Sequence, residues 1–361
     1  MSQASDRAFM LQAAGLAERG VFTTSPNPRV GCVIAKDGLV LGQGWHEWAG
    51  RAHAEINALH EAGDSAQGAT AYVTLEPCGS HGRTPPCAEA LIRAGVARVV
   101  VGSMDRSQHK HNGLERLAAA GIKVEYQPCP EAQEINLGFF SRIERKRPLV
   151  RVKLAMSLDG RTATNSGESK WITSIQARAD VQLWRARSCA LLTGSGTLLA
   201  DNPRLTVRLP DPGLAFAPPL RVVLDRQLRA PANSHVFDGE APTLVFHGSA
   251  VEARASPPAS VRYLPTRTAD GRLDLPQVME LLAAEGCNEV MVEAGPVLCG
   301  ALAAAGLVDE WLVYVAPLLL GTEARPLLQL DNLNCLAQAP RLSIVEQCQV
   351  GPDLRLRLRP S

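Results

Sequence analysis

His53-Ala54-Glu55, followed by Glu76-Pro77-Cys78-Gly79-Ser80-His81-Gly82-Arg83-Thr84-Pro85-Pro86-Cys87, is the stretch on which the reading of this chain turns. One imidazole and two thiolates, from His53, Cys78 and Cys87, can hold a zinc ion and leave its fourth position open for water. Two thiolates also balance the charge of Zn²⁺, and the metal lowers the pKa of a bound water toward neutrality. Cys87 follows two prolines at a helix start, where free N–H groups favour a thiolate. Glu55, two residues from His53, is read as a group that can move protons at that water and not as a ligand. A structural zinc site is the alternative; it needs a fourth protein ligand, which His81 can supply, and it leaves Glu55 without a task.

Around this motif the pattern is that of an α/β unit. Arg7 to Gly20 has helical apolar spacing, and Val30 to Ala35 with Leu39 to Gln43 predicts a hairpin about Asp37-Gly38. His53 to Ala62 predicts a helix stopped by Gly63, and Ala71 to Leu75 a strand that delivers Glu76-Pro77-Cys78 at its end. Cys87 to Ala94 reads as a helix closed by Gly95, and Arg98 to Val101, Leu114 to Ala120 and Ile122 to Tyr126 continue the alternation. Such alternation predicts a mostly parallel sheet between helices. The charged stretch from Ser141 to Pro148 is expected to stay exposed and to join two domains, 1–147 and 148–361.

In the second half, strands are expected at Leu149 to Met156, Val222 to Asp225, Thr243 to His247, Glu289 to Glu293 and Glu310 to Val315. Helices are expected near Ile175 to Arg187, Leu275 to Glu285 and Leu298 to Ala305. The Gly-x-Gly-x-x-Gly fingerprint is missing, which removes support for a Rossmann reading. Glycines fall instead at Gly194-Ser195-Gly196-Thr197 and from Gly295 to Gly300, each after a strand and before a helix. Such turns either receive a pyrophosphate on free N–H groups or are simply tight turns. Asp225 ends a predicted strand, with Arg226 and Arg229 just beyond it.

Bulk properties narrow the partners. A chain of 361 residues has room for two domains at roughly 150 residues each. A formal charge of +1 with interspersed acids and bases gives no footprint for nucleic acid or a membrane surface, so small polar substrates are expected. Nine cysteines without a repeating spacing point to a reducing cytosol. Cys32, Cys129, Cys189, Cys287, Cys299, Cys335 and Cys348 are expected to be buried small hydrophobes. The first residues lack the apolar core of a signal peptide, and oligomeric state is left open.

The string from Glu76 to Cys87 closely resembles the insert-bearing zinc motif of the bifunctional deaminase–reductase family of riboflavin biosynthesis. Pro26-Asn27-Pro28-Arg29-Val30-Gly31-Cys32-Val33, Ser157-Leu158-Asp159-Gly160-Arg161 and Gly167-Glu168-Ser169-Lys170-Trp171-Ile172-Thr173 extend the likeness, as do Leu199-Ala200-Asp201-Asn202-Pro203 and Val292-Glu293-Ala294-Gly295-Pro296. The resemblance runs from about Asp6 to about Gly321. It implies an α/β chain with a cytidine deaminase-like three-layer N-terminal domain and a dihydrofolate reductase-like C-terminal domain. Zinc would serve the first and NADPH the second. The implied reactions are hydrolytic deamination of a phosphorylated aminopyrimidine, then reduction of its ribosyl side chain to ribityl.

The resemblance also implies site residues. Asn27 would read the pyrimidine edge and Arg83 would contact the ribose phosphate. Ser169, Arg185, Leu205, Arg208 and Glu293 would bind the substrate of reduction, with Arg185 and Arg208 as a phosphate clamp and Glu293 accepting from sugar hydroxyls. Apart from the resemblance, Lys153 is read either as an assisting group or as a solvated strand residue. Ala155, Trp171, Thr197, Asp201, Gly295, Pro296, Val297, Leu298, Cys299, Gly300 and Ala301 would bind NADPH. Two loops depart from the family pattern, at Gly79-Ser80 and from Asp105 to His111. They keep open a chain that only reduces, its deaminase pocket having decayed. A polynucleotide-editing deaminase is a further alternative, but it calls for a basic groove that the composition does not suggest.

Overall fold

The computed structural model describes residues 3–80, 85–107, 113–253, 258–330 and 334–361. The chain divides into two compact units, Met1–Arg145 and Lys146–Ser361.

The first unit runs α1 (Gln3–Glu18), β1 (Gly31–Lys36), β2 (Leu39–Trp45), α2 (Ala54–Ala62), β3 (Thr70–Val73), α3 (Cys87–Arg93), β4 (Arg98–Val101), α4 (Gly113–Ala119), β5 (Lys123–Tyr126), α5 (Pro130–Ile135) and α6 (Leu137–Arg145). Its strands order as β2-β1-β3-β4-β5. The expectation of a mostly parallel sheet needs correction: β1 pairs antiparallel with both β2 and β3, and only β3–β4 and β4–β5 are parallel. The tight turn at Asp37 and Gly38, with φ values of 52° and 84°, folds β2 straight back on β1 and accounts for the first of these pairings.

Alternation along β1 sends Cys32 and Ile34 to the face covered by Ala54, Ala58, Leu91 and Leu117, and Val33 and Ala35 to the face covered by Met10 and Ala13. Helices on both faces of a sheet make three layers. The approach of α2 to that sheet depends on glycine. A Cβ at Gly42 would lie 2.3 Å from the Ala58 carbonyl oxygen, and one at Gly44 would lie 2.6 Å from that of Ala54. Bare strand therefore lets the helix that begins at His53 and Glu55 lie directly on the sheet. Gly44→Val should displace that helix, costing about 1–3 kcal/mol by overpacking, with zinc lost at lower chelator concentration than in the parent.

In the charged stretch expected to stay exposed, Glu144, Arg145 and Lys146 are exposed, while its ends pack. Ser141 is buried and its hydroxyl accepts from the Arg145 guanidinium, while Arg147 makes a forked pair with Asp309 at 2.7 and 2.9 Å. Charge is tolerated here because each guanidinium finds an acceptor.

The second unit contains β6 (Leu149–Ser157), β7 (Arg161–Ala163), α7 (Ile175–Arg187), β8 (Ala190–Gly194), α8 (Ser195–Asp201), β9 (Leu220–Leu224), β10 (Thr243–Gly248), β11 (Val261–Thr266), β12 (Thr268–Ala269) and β13 (Arg272–Leu273). It continues with α9 (Leu275–Ala284), β14 (Glu289–Val292), α10 (Pro296–Ala304), β15 (Glu310–Ala316), β16 (Arg325–Pro326), β17 (Leu342–Val350) and β18 (Asp353–Pro360). The main sheet orders as β11-β10-β9-β8-β14-β6-β15-β18-β17. Every neighbour from β11 to β15 is parallel; β18 and β17 are antiparallel. The chain moves outward from β6 through β8 to β11, then returns to place β14 between β8 and β6 and β15 beyond β6. A reversal of this kind opens a crevice at the carboxyl ends of the central strands, where open α/β sheets bind ligands.

A polar network sits within this unit. Arg151 is buried and donates to Glu310 at 2.5 Å and Glu289 at 3.0 Å, with its guanidinium 4.6 Å from the centre of the Trp184 ring. Arg151→Ala leaves two buried carboxylates short of a partner. The expected loss is about 3–5 kcal/mol, read as a lower urea midpoint of this unit. Of the cysteines expected inside, Cys32, Cys129, Cys287 and Cys299 are buried, Cys189 and Cys348 are half-buried, and Cys335 is exposed.

Candidate functional site

In the first unit the motif closes on itself. His53 caps the start of α2 in extended conformation, Glu55 lies in its first turn, Cys78 follows β3 across Pro77, and Cys87 opens α3. His53 Nδ1 is 3.2 Å from Cys87 Sγ and 3.6 Å from Cys78 Sγ, and the three donor atoms lie within 4.8 Å of one another. The Cys87 N–H also points at Cys78 Sγ, at 3.2 Å. One nitrogen and two sulfurs at this spacing fit zinc.

The electrostatics are those of a metal site before its protons leave. A hydrogen bond from the Cys87 thiol pulls Cys78 down to about 4 despite burial, with help from His53. The same bond, with burial, drives Cys87 far up. The Cys78 contact raises His53. Glu55 is buried, and burial lifts its carboxyl to about 7 against the pull of His53. A carboxyl there is ready to take and return a proton near neutral pH.

His46, which sequence reasoning passed over, belongs to this site. It is buried beyond the end of β2, and its ring meets that of His53 edge-on with centroids 5.4 Å apart. Burial lowers its pKa, and Nδ1 lies 3.0 Å from the Ala52 carbonyl oxygen. A neutral ring donating from Nδ1 leaves Nε2 to accept from the Asn27 amide at 3.1 Å, so the Asn27 oxygen is left for a ligand. The Asn27 loop is held from behind: Arg29 N–H donates to Asn136 Oδ1 at 2.8 Å, and Asn136 Nδ2 returns a bond to the Arg29 carbonyl at 2.7 Å. The one sequence signal for His46 was its place directly after a hairpin strand. His81, Arg83 and residues 108–111 lie outside the described residues.

In the second unit, Glu293 follows β14, and its backbone carbonyl accepts from the buried Thr193 hydroxyl at 2.8 Å. Arg185 of α7 grips its carboxylate with two bonds, 2.6 and 2.8 Å, and sends a third to the Thr206 carbonyl oxygen. The guanidinium expected to clamp a phosphate is thus already committed to Glu293. Burial pushes the Glu293 carboxyl up, but Arg185, Lys153 and Arg208 together hold it at about 2. Lys153, on β6, is lowered by burial more than Glu293 raises it. Leu205 is buried with φ at 49°, and Arg208 is exposed with its backbone N–H bonded to the Gln182 side chain.

The two glycine turns are neighbours: a Cβ at Gly194 would sit 3.3 Å from the Leu298 side chain. Gly295 caps α10, Pro296 follows and Val297 is exposed, whereas Cys299 and Gly300 face inward. Cys299 Sγ donates to the Ala294 carbonyl oxygen, and a Cβ at Gly300 would overlap the Gln329 carbonyl oxygen at 1.9 Å. Ala301 is half-buried, as are Ala155 on β6 and Thr197 on α8; Asp201 ends α8, exposed. Trp171 is exposed beneath the Arg178 guanidinium, and Ser169 is half-buried on the same loop. Among the described residues no hydrogen bond or ion pair joins Ser169, Trp171 or Asp201 to the Glu293 cluster. Asp159 is structural, accepting the N–H groups of Leu320 and Gly321 at the turn after β6.

Residues 148–356 match the family model described as RibD C-terminal domain, and residues 3–103 match the cytidine and deoxycytidylate deaminase zinc-binding region. The chain is 49% identical over 364 residues to riboflavin biosynthesis protein RibD of Escherichia coli, covering 98% of this chain and 99% of that one. The chain belongs to the RibD family. The RibD protein of Bacillus amyloliquefaciens is 40% identical over 357 residues, covering 98% of this chain and 95% of its own length. Among solved structures, RibD of Acinetobacter baumannii, form 1, matches with a TM-score of 0.93 at 42% identity, covering all of both chains. The Thermotoga maritima deaminase/reductase matches with a TM-score of 0.88 at 31% identity over 99% of each. The chain is therefore a bifunctional deaminase and reductase of riboflavin biosynthesis, with zinc and NADPH as cofactors, as the sequence led one to expect. Its N-terminal unit is cytidine deaminase-like and its C-terminal unit is the RibD reductase domain. Nothing in these likenesses favours a reductase alone or a polynucleotide-editing deaminase.

Proposed function

We propose that the first unit removes an amine from a diaminopyrimidine bearing a phosphoribosylamino group, and that the second reduces the ribosyl chain of the product to ribityl. The observation that carries this is the convergence of His53, Cys78 and Cys87 beside a buried Glu55. The Thermotoga maritima relative is described as a diaminohydroxyphosphoribosylaminopyrimidine deaminase and 5-amino-6-(5-phosphoribosylamino)uracil reductase, which agrees with the reading.

His53, Cys78 and Cys87 hold the zinc, which when bound activates water for attack. Glu55 accepts a proton from the attacking water and delivers it to the departing amine, so ammonia leaves as the ring carbonyl forms. Asn27, its amide fixed by His46, reads the pyrimidine edge, and Arg83 takes the phosphate. His46→Ala should raise KM roughly fivefold, the worth of about one neutral hydrogen bond, with a smaller change in kcat for deamination.

The turns from Gly194 to Thr197 and Gly295 to Ala301, with Ala155, Trp171 and Asp201, are the residues that would hold NADPH, which would supply hydride for the reduction. Opening of the ribosyl ring leaves its oxygen in need of a proton. Lys153, half-buried on β6 and near enough to Glu293 for the two charges to act on each other, is the group in place to give it. Ser169, Leu205 and Arg208 line the substrate side, Arg208 being the guanidinium free to meet a phosphate. The division near Arg145 separates the two chemistries, and free cysteines suit the cytosol.

Incubation with the phosphorylated diaminopyrimidine tests the proposal. Without NADPH, ammonia and the deaminated ribosyl compound should accumulate; with NADPH, one equivalent should be oxidised per ribityl product. Oxidation of NADPH with no ammonia released would contradict the deaminase assignment.

A further inference from the structure

Gln182 lies on α7 three residues before Arg185, on the same face of the helix. The two side chains hold alternate residues of the segment that follows α8. Arg185 donates to the Thr206 carbonyl oxygen at 3.0 Å, and Gln182 Oε1 accepts the Arg208 N–H at 2.9 Å. Nearer α8 the segment is fixed by other means: the Asn202 side chain accepts the His235 N–H at 2.9 Å, and Leu205 is buried in the core cluster that includes Val181 and Trp184 of α7. Leu205 has a φ of 49°, a left-handed backbone that a leucine keeps only where its surroundings dictate it. Beyond Arg208 the fixing stops. Among the described residues, the Arg208 N–H makes the one hydrogen bond that ties residues 207–219 to the rest of the fold; the other bonds of that stretch are local to Asp211.

We propose that Gln182 is a positioning residue for phosphate recognition in reduction, fixing the Arg208 backbone so that its guanidinium is presented to the substrate phosphate, a reading that rests on the role given to Arg208 above. The Arg208 side chain is exposed, and among the described residues it has no carboxylate partner, yet its charge is close enough to Glu293 to help hold that carboxyl down. An exposed arginine has many rotamers, and its fork meets a phosphate with two bonds only where the chain that carries it is held. An amide oxygen on a packed helix holds it at the residue itself, whereas the nearest other anchor is at Thr206. Gln182 Oε1 accepts without carrying charge, so it orders the Arg208 backbone and leaves the guanidinium to the ligand.

Gln182→Met in the full chain keeps the length of the side chain and removes the acceptor. The parent, this variant, Arg208→Ala and the double variant are each given the deaminated intermediate with NADPH, and the same compound stripped of its phosphate as a competitive inhibitor. Gln182→Met should raise KM for the phosphorylated intermediate about fivefold, the worth of one neutral hydrogen bond, with kcat and KM for NADPH within about twofold of parent. The Ki of the phosphate-free compound should stay at the parent value. On Arg208→Ala the second substitution should add nothing, because it acts through that guanidinium. An unchanged KM in Gln182→Met would overturn the proposal. So would an equal loss with and without the phosphate, or a further loss on Arg208→Ala, which are the marks of a loosened α7. Retained kcat and KM for NADPH show that the variant is folded. Arg208→Ala separates the two levels: a parent-like KM there sinks the phosphate role of Arg208, whereas a raised KM there with none in Gln182→Met sinks the Gln182 assignment alone.

Discussion

Glu55→Gln should retain one zinc per chain and lose deamination by about 10³-fold or more, within the range that a general acid/base commonly supplies. The substitution keeps the size of the side chain and the helix turn that carries it, and it leaves His53, Cys78 and Cys87 in place. What it removes is the one carboxyl that burial has raised to about 7 beside the donor atoms. Metal content by atomic absorption and ammonia release are read on the same sample. Loss of zinc, or near-parent turnover, would mean that Glu55 is a ligand or a bystander.

The second large effect is expected at Glu293. Glu293→Gln deprives Arg185 of its forked partner and leaves Lys153 without the anion it faces. Removing one member of a buried charge pair costs about 3–5 kcal/mol, so the second unit should unfold at lower urea while reduction falls at least about 10²-fold. The pH dependence follows in sign. Glu293 is held at about 2 against an ordinary value of 4.5, so its contribution to stability is fully present above 4.5 and is lost as pH falls toward 2. Glu310, pushed up by burial but held at about 2 by Arg151 and Arg357, adds loss over the same window. The parent should therefore show acid unfolding of the second unit between those limits, and Glu293→Gln should blunt it. Burial holds Lys153 below its ordinary range, so reduction should lose rate before pH 10.5 is reached, and Lys153→Arg, which cannot give up a proton, should lose most of the reduction at every pH.

Much of this was legible in the sequence where local chemistry is strong. The helix from Ile175 to Arg187 and the strand from Arg98 to Val101 stand at the expected residues, and the Asp37-Gly38 turn makes the expected hairpin. The strand expected before Gly194 is β8, though its residues give it no start, and the hairpin of β17 and β18 has no counterpart in the sequence reading. Residues 190–194 are too short and too uniformly buried to show a period, and β17 is an edge strand with most of its residues exposed. In β18 leucine and arginine alternate from Leu354 to Arg359, a period of two that is visible in the sequence. The zinc donors were legible because spacing and residue type carry the chemistry. His46, the Arg29–Asn136 brace and the Arg185–Glu293 fork were not, since each joins residues brought together by folding alone.

The central claim is that one chain holds two separate catalytic sites, and Cys87→Ala tests it most directly. The purified, folded variant is given the deaminated intermediate with NADPH, and separately the diaminopyrimidine. Deamination should be abolished with the loss of one sulfur donor, and reduction of the supplied intermediate should stay within about threefold of parent, because each unit has its own core. A soluble, folded Cys87→Ala chain that fails to reduce the supplied intermediate would contradict the account.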